Sequence, residues 1–191
     1  MPYKLDDIKI LVVEDLLPML TLTKSILQIF GFKNLLGARN ADEAYELYCQ
    51  HDPDIIITDW FMTPIDGLEL IQKIRTDPKS PNPYVPIILM SGYTDKRRVE
   101  EGRDNGMTEF LMKPYTARDM YKKIVQLIER PRQFVKAEGY FGPDRRRKRE
   151  EYVGPIRRMK DLYNQQNKEL HDAADIVMIP KKDGVKDITS K

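Results

Sequence analysis

The stretch Asp54-Ile55-Ile56-Ile57-Thr58-Asp59-Trp60-Phe61-Met62 carries an unbroken apolar run, Ile55 to Ile57, that ends in a lone carboxylate. A run without polar alternation reads as a strand buried on both faces, as in a parallel sheet covered by helices. The loop that follows holds Pro64 and Asp66-Gly67. In an open α/β sheet, ligands bind at the carboxyl ends of the strands. Asp59 is therefore either a helix or turn cap or a reactive group, and the flanking sequence decides between these.

On the N-terminal side, residues 8–13 form a first buried strand that runs straight into Glu14-Asp15. Pro18 suits a first helical turn, and Met19, Leu22, Ile26 and Ile29 recur at helical spacing up to Gly31. Residues 34–38 read as a short second strand, and Asn40 with Glu43 opens a second helix. On the C-terminal side, Asp66-Gly67 starts a third helix with Leu70, Ile71 and Ile74 inward, and residues 85–90 form a fourth strand ending at Ser91-Gly92. Residues 95–105 are nearly all charged, with Val99 the one large apolar residue, so a helix there is weakly anchored. Residues 107–112 form a fifth strand ending in Lys113-Pro114, and Thr116 caps a last helix with Met120, Ile124, Leu127 and Ile128 on one stripe. Five strands alternating with five helices predict a doubly wound α/β domain over residues 1–129.

Composition narrows the class. At 191 residues, 41% hydrophobic, the chain can bury one core of ordinary size plus an appendage. No run reaches the roughly 20 apolar residues of a membrane span, and residues 1–9 lack a secretory h-region. A single cysteine, Cys49, excludes an internal disulfide framework and any multi-cysteine metal site, and a cytoplasmic location is expected. The net charge of +2 hides an asymmetry: residues 1–129 carry 16 basic and 20 acidic side chains, whereas residues 130–160 carry 11 and 4. Charge and composition both break near Arg130-Pro131.

The strand ends carry the chemistry. Strand one supplies Glu14 and Asp15, strand three Asp59, strand four Ser91 and strand five Lys113. Right-handed crossovers bring these ends to one edge of the sheet. Three carboxylates at close range repel unless a cation sits among them, and hard oxygen ligands suit Mg²⁺. A lysine ammonium offsets further negative charge, and a serine hydroxyl can donate to an incoming oxyanion. Such a site can take a phosphoryl group onto a carboxylate.

With these five positions in order, residues 8–129 resemble a response-regulator receiver domain of the two-component phosphorelay family, close to the stand-alone chemotaxis type. The resemblance implies a flavodoxin-like sheet of order 2-1-3-4-5. It also implies Asp59 as phosphoacceptor, yielding 4-aspartylphosphate, and Mg²⁺ held by Glu14, Asp15, Asp59 and the backbone carbonyl of Phe61. Lys113 would pair with the phosphoryl oxygens, the Lys113-Pro114 bond would be cis, and Ser91 would move to hydrogen-bond the phosphoryl group. Phe110 occupies the aromatic switch position without the hydroxyl of a tyrosine. Phe61 and Tyr93, each two residues past a site residue, flank the path of attacking water, which predicts slow self-dephosphorylation. Thr63, where the family often has proline, leaves the loop path open. The implied donor is a histidine kinase or histidine phosphotransfer protein. The implied output is a change of partner at the face of the fourth helix, fifth strand and fifth helix. No catalysis on an external substrate is expected.

Simpler readings compete at each position. Glu14-Asp15 could cap the first helix, Ser91 could serve a turn, Lys113 alone could be a surface lysine, and Cys49 and His51 read as structural or surface residues. An aspartate-nucleophile phosphohydrolase typically needs a second Asp two residues on, where Phe61 stands. No glycine-rich phosphate loop follows strand one.

Residues 130–155, punctuated by Pro131, Gly139, Gly142, Pro143, Gly154 and Pro155, read as an irregular basic linker. They contain Tyr140-Phe141 and Arg145-Arg146-Arg147-Lys148-Arg149. This run is a solvated tail, or it takes an anionic ligand such as a cyclic dinucleotide, as the resemblance to arginine-rich tails on some stand-alone receivers suggests. A protein partner, nucleic acid or an anionic membrane would also fit. A ligand-binding or scaffolding module acting through this tail is the alternative function. In residues 156–191, Ile156, Met159, Leu162, Tyr163 and Leu170 suggest a short amphipathic helix. Residues 174–179 form an apolar run that could dock on the receiver or a partner, and residues 181–191 read as disordered.

Overall fold

The structure, a computed structural model, describes residues 5–93, 95–137 and 139–145 and the backbone of Ile176 and Val177. Five parallel strands, β1 (Lys9–Val13), β2 (Asn34–Ala38), β3 (Ile55–Asp59), β4 (Ile87–Ser91) and β5 (Glu109–Met112), lie in the order β2-β1-β3-β4-β5. Helices α1 (Leu17–Ile29), α2 (Ala41–His51), α3 (Gly67–Thr76), α4 (Lys96–Asp104) and α5 (Ala117–Glu129) connect and cover them. This is the expected doubly wound, flavodoxin-like sheet.

Alternation along each strand divides the core in two. Leu11, Val13, Ile56, Ile87 and Leu89 pack on one face against Ala44 and Tyr48 of α2 and Leu70, Ile71 and Ile74 of α3. Ile10, Val12, Ile55, Ile57, Ile88 and Met90 pack on the other against Leu20 and Leu27 of α1 and Met120, Ile124 and Leu127 of α5. Strands buried on both faces have no polar side, which is why their sequences read as continuous apolar runs.

Two expectations need correction. The stripe Met19, Leu22, Ile26, Ile29 correctly marks a helix, but α1 buries Leu20, Thr23 and Leu27, leaving Leu22 50% and Ile29 81% exposed. The helix is apolar on both sides, so periodicity locates it without choosing the face that meets the sheet. The expected irregular linker contains a hairpin instead. Strand β6 (Phe134–Ala137) pairs antiparallel with β7 (Tyr140–Pro143) and, through Phe134 and Val135, with β8 (Ile176–Val177). Gly139, at φ +73°, sits in its turn. A Cβ on Gly142 would stand 2.9 Å from the Gly106 Cα, so glycine lets the hairpin lie against the loop between α4 and β5. Gly139, Gly142 and Pro143 belong to this hairpin. The arginine-rich run beyond Arg145, the amphipathic stretch 156–170 and residues 181–191 lie outside the described residues.

The hairpin rests on the amino-terminal edge of the sheet. Phe134 is fully buried, its ring and that of Phe141 meet Tyr84 edge-on at 5.4 and 5.3 Å, and the Arg75 guanidinium lies 5.0 Å over Phe134. Arg75 donates to the carbonyls of Gly106 (3.1 Å) and Pro83 (2.7 Å), and Arg132 to those of Thr108 (3.0 Å) and Asp144. Arg145 joins Asp104 at the end of α4 at 3.2 Å.

Candidate functional site

At the opposite, carboxyl edge, the backbone ladder aligns the strand tips. Trp60 N–H donates to the Met90 carbonyl (2.9 Å), Lys113 N–H to that of Ser91 (2.8 Å), and Glu14 N–H to that of Ala38 (3.0 Å). Residues one step past each strand thus leave the sheet together. The Asp59 carbonyl lies where a Cβ on Gly67 would come within 2.1 Å, so only glycine allows α3 to start against it. Asp66 fixes that start through a reciprocal capping box with Glu69. The Asp66-Gly67 signal in the sequence therefore sets the loop that leaves Asp59.

The structure brings Glu14, Asp15, Asp59 and Lys113 together. One carboxylate oxygen from each of the three acids lies within 4.8 Å of the others. The Lys113 ammonium sits 2.7 Å from Glu14 Oε2 and 2.9 Å from Asp59 Oδ1. Glu14 is fully buried, and the Asp59 side chain retains 11% exposure, enough to be reached from outside. Burial pushes the Glu14 carboxyl up, against the lowering hydrogen bond from Lys113 and with a further raising contribution from Asp59. Burial pulls the Lys113 ammonium down, but its hydrogen bonds to Glu14 and Asp59 outweigh that, so it is held above its ordinary value.

Neither acid of the Glu14-Asp15 pair caps α1, whose N-cap is Leu16 without a side-chain hydrogen bond. The capping reading of that pair falls away. Among the described residues Glu14 Oε1 has no hydrogen-bond partner although it is buried. A buried, unpartnered carboxylate oxygen is costly unless something positive meets it. With two neighbouring carboxylates, this donor set fits a hard divalent cation. Arg39 borders the cluster, its guanidinium donating to the Asp15 carbonyl at 3.3 Å.

Ser91 is buried at the tip of β4, beside β3, and its Oγ accepts the Tyr93 N–H at 3.1 Å. The turn role read from the sequence is thus real, and it does not exclude another. Phe110 is half-buried against the core on the α2–α3 side, and the Lys113-Pro114 peptide is cis, as is Thr63-Pro64. Phe61 stacks on the buried Trp60 (centroids 5.8 Å, 12°) and meets Tyr93 edge-on at 5.0 Å. Arg98 of α4 joins this aromatic group, a contact the sequence reading missed. The available signal was the Lys96-Arg97-Arg98 run in the first turn of a helix, where cations oppose the dipole. Beside Lys113, an apolar groove is lined by Met19, Leu22, Ile26, Pro114 and Tyr115, with the Tyr115 hydroxyl 2.9 Å from that of Thr23.

Comparison with known proteins agrees with this geometry. Residues 10–125 match the family described as response regulator receiver domain. The chain is 27% identical over 124 residues to chemotaxis protein CheY-3 of Vibrio cholerae, covering 65% of this chain and 94% of that protein. It is 32% identical over 117 residues to chemotaxis protein CheY1 of Helicobacter pylori, covering 61% and 93%. A response regulator receiver domain protein from Clostridium thermocellum superposes with a TM-score of 0.58 at 28% identity, over 64% of this chain and 95% of its own. The signal receiver domain of a histidine kinase from Syntrophus aciditrophicus gives 0.57 at 25% identity, over 78% and 98%. A matched family span of more than half the chain, on the expected sheet and with the acidic cluster at its carboxyl edge, makes this protein a member of the response regulator receiver family.

Proposed function

We propose that this protein is a response regulator that accepts a phosphoryl group on Asp59 from a histidine kinase or histidine phosphotransfer protein. The observation that carries the reading is the Lys113 ammonium between Glu14 and Asp59, beside a buried Glu14 oxygen without a hydrogen-bond partner among the described residues. Receiver domains bind Mg²⁺ through an acidic cluster of this kind, and here Glu14, Asp15, Asp59 and the Phe61 carbonyl would hold it. When bound, the cation neutralises charge on the transferring phosphoryl group.

The chain's own groups do the rest. The Asp59 carboxylate is the nucleophile, and Lys113, already in contact with it, follows the negative charge onto the phosphoryl oxygens. Ser91 exchanges its bond from Tyr93 N–H for one donated to a phosphoryl oxygen. Phe110 and α4 then shift, which changes the face of α4, β5 and α5. A surface that moves should be lightly tethered, and α4 buries only Gly102. A donor protein has an apolar landing beside the site in the exposed Leu16, Leu17 and Leu22 of the α1 region.

Beryllofluoride with Mg²⁺, added to the full chain, tests the reading through Trp60, the one tryptophan, buried next to Asp59. Its emission should change in the wild type and stay constant in Asp59→Ala. An equal change in both would overturn the reading.

A further inference from the structure

We propose that Arg98 is a positioning residue that clamps Phe61 and Tyr93 into one lid at the mouth of the site, and so sets the lifetime of the phosphoryl group on Asp59. This rests on the phosphoacceptor reading of Asp59. The Arg98 guanidinium lies 5.5 Å from the ring centres of Trp60 and Phe61 and 6.0 Å from that of Tyr93. The rings belong to different loops: Trp60 and Phe61 leave β3 just after Asp59, and Tyr93 leaves β4 just after Ser91. The edge-on contact of Phe61 with Tyr93 bridges the two loops, and one planar cation spans the junction.

The placement of Arg98 goes against local preference. The first turn of α4 carries Lys96, Arg97 and Arg98 and no acid, where the helix dipole disfavours cations. Asp95 caps that turn by accepting the Arg98 N–H at 3.1 Å, which fixes the root of the side chain. The one ion pair of Arg98 among the described residues, with Glu101, is long at 3.9 Å. A residue that breaks a local rule without a strong local partner points to a role elsewhere, and the three rings supply it.

Hydrolysis needs a water to attack phosphorus in line with the bond that breaks. The bond to the Asp59 oxygen is cleaved, the carboxylate re-forms, and dihydrogen phosphate leaves. Asp59 rises from the tip of β3, so an in-line water must come from beyond the strand tips, where the β3 and β4 loops meet under Arg98. Holding the two rings together narrows that approach.

The test labels the full chain with acetyl phosphate and Mg²⁺, removes the donor and follows loss of the phosphoryl group by intact mass. Arg98→Ala should shorten the half-life about fivefold, the worth of a cation–π contact near a half-exposed site. Arg98→Lys, which keeps the charge without the flat guanidinium, should fall between. In a Phe61→Ala/Tyr93→Ala background, Arg98→Ala should change nothing further, which a merely structural role would not produce. Arg98→Ala should still unfold in one cooperative urea transition, so the half-life is read on a folded protein. An unchanged or longer half-life in Arg98→Ala, or the same shortening without the two rings, overturns the proposal. Failure of Asp59 to label at all would instead overturn the phosphoacceptor reading.

Discussion

The two edges of the central sheet each hold a cation, half-buried at one and buried at the other, and they do so in opposite ways. At the carboxyl edge Lys113 sits between Glu14 and Asp59, held above its ordinary value by those carboxylates, while a Glu14 oxygen stays without a hydrogen-bond partner among the described residues. At the amino edge Arg75 is shut in under the hairpin, bonded to the carbonyls of Gly106 and Pro83 and stacked on Phe134. Burial there pushes the Arg75 guanidinium down to about 9, which leaves it protonated at neutral pH. One edge concentrates mutually repelling acids around an ammonium, an arrangement that a divalent cation and an incoming phosphoryl group would complete. The other spends a rigid, planar cation on satisfying loop carbonyls and cementing an appendage.

That contrast can be broken by experiment. The largest effect belongs to the amino edge: Phe134→Ala should lower the unfolding free energy in urea by about 3–5 kcal/mol, the usual range for emptying a buried aromatic site. Truncation after Glu129 should act in the same direction, because it uncovers Tyr84 and Arg75 together. At the carboxyl edge, Lys113→Ala should slow phosphorylation by acetyl phosphate about 100-fold, the loss typical of one preorganised charge-stabilising donor. Third, Mg²⁺ at ten times its Kd should stabilise the wild type by about 1.4 kcal/mol through binding to the folded state alone. That gain should vanish in Asp15→Asn and persist in Phe134→Ala, and a Mg²⁺ response that followed the hairpin instead would erase the distinction between the edges.

The smallest effect concerns an exposed charge. Hydrogen bonds from the Thr116 side chain and then its backbone hold Asp119 below its ordinary value of 3.8. A carboxyl depressed by folding stabilises above its unfolded value, and that contribution is lost as pH falls through the folded one. Urea midpoints measured from pH 5 downward should therefore drop less steeply in Asp119→Asn than in the wild type.

The carboxyl edge was legible in the sequence because its parts are consecutive with strands that read themselves. Residues 10–13, 55–57 and 85–90 are apolar without alternation, and each run ends within two residues of the polar group that matters. Their bounds moved by a residue or two, to Lys9–Val13, Ile55–Asp59 and Ile87–Ser91, because hydrogen bonding rather than hydropathy ends a strand. The amino edge was not legible. Arg75 looks like one more cation on α3 until Phe134, Gly106 and Pro83 close around it, and Phe134 and Phe141 find their partner in Tyr84, some fifty residues earlier. Glycine and proline mark where a chain turns but not whether the segments between turns find a partner. The inner face of α1 was hidden for a related reason, since a helix apolar on both sides offers two stripes and only the sheet selects Leu20 and Leu27. Arg98 carried a faint local mark, an unfavourable charge in a first helical turn, whose meaning needed the three rings.

The most direct test is phosphotransfer followed at the acceptor residue. The full chain, treated with acetyl phosphate and Mg²⁺, would be reduced with borohydride and mapped by peptide mass, beside Asp59→Asn and a Mg²⁺-free control. The predicted result is a single modified site at Asp59, absent from Asp59→Asn and from the control. Labelling that survives in Asp59→Asn, or that maps outside the Glu14–Asp59–Lys113 cluster, would contradict the assignment of the carboxyl edge as the switch.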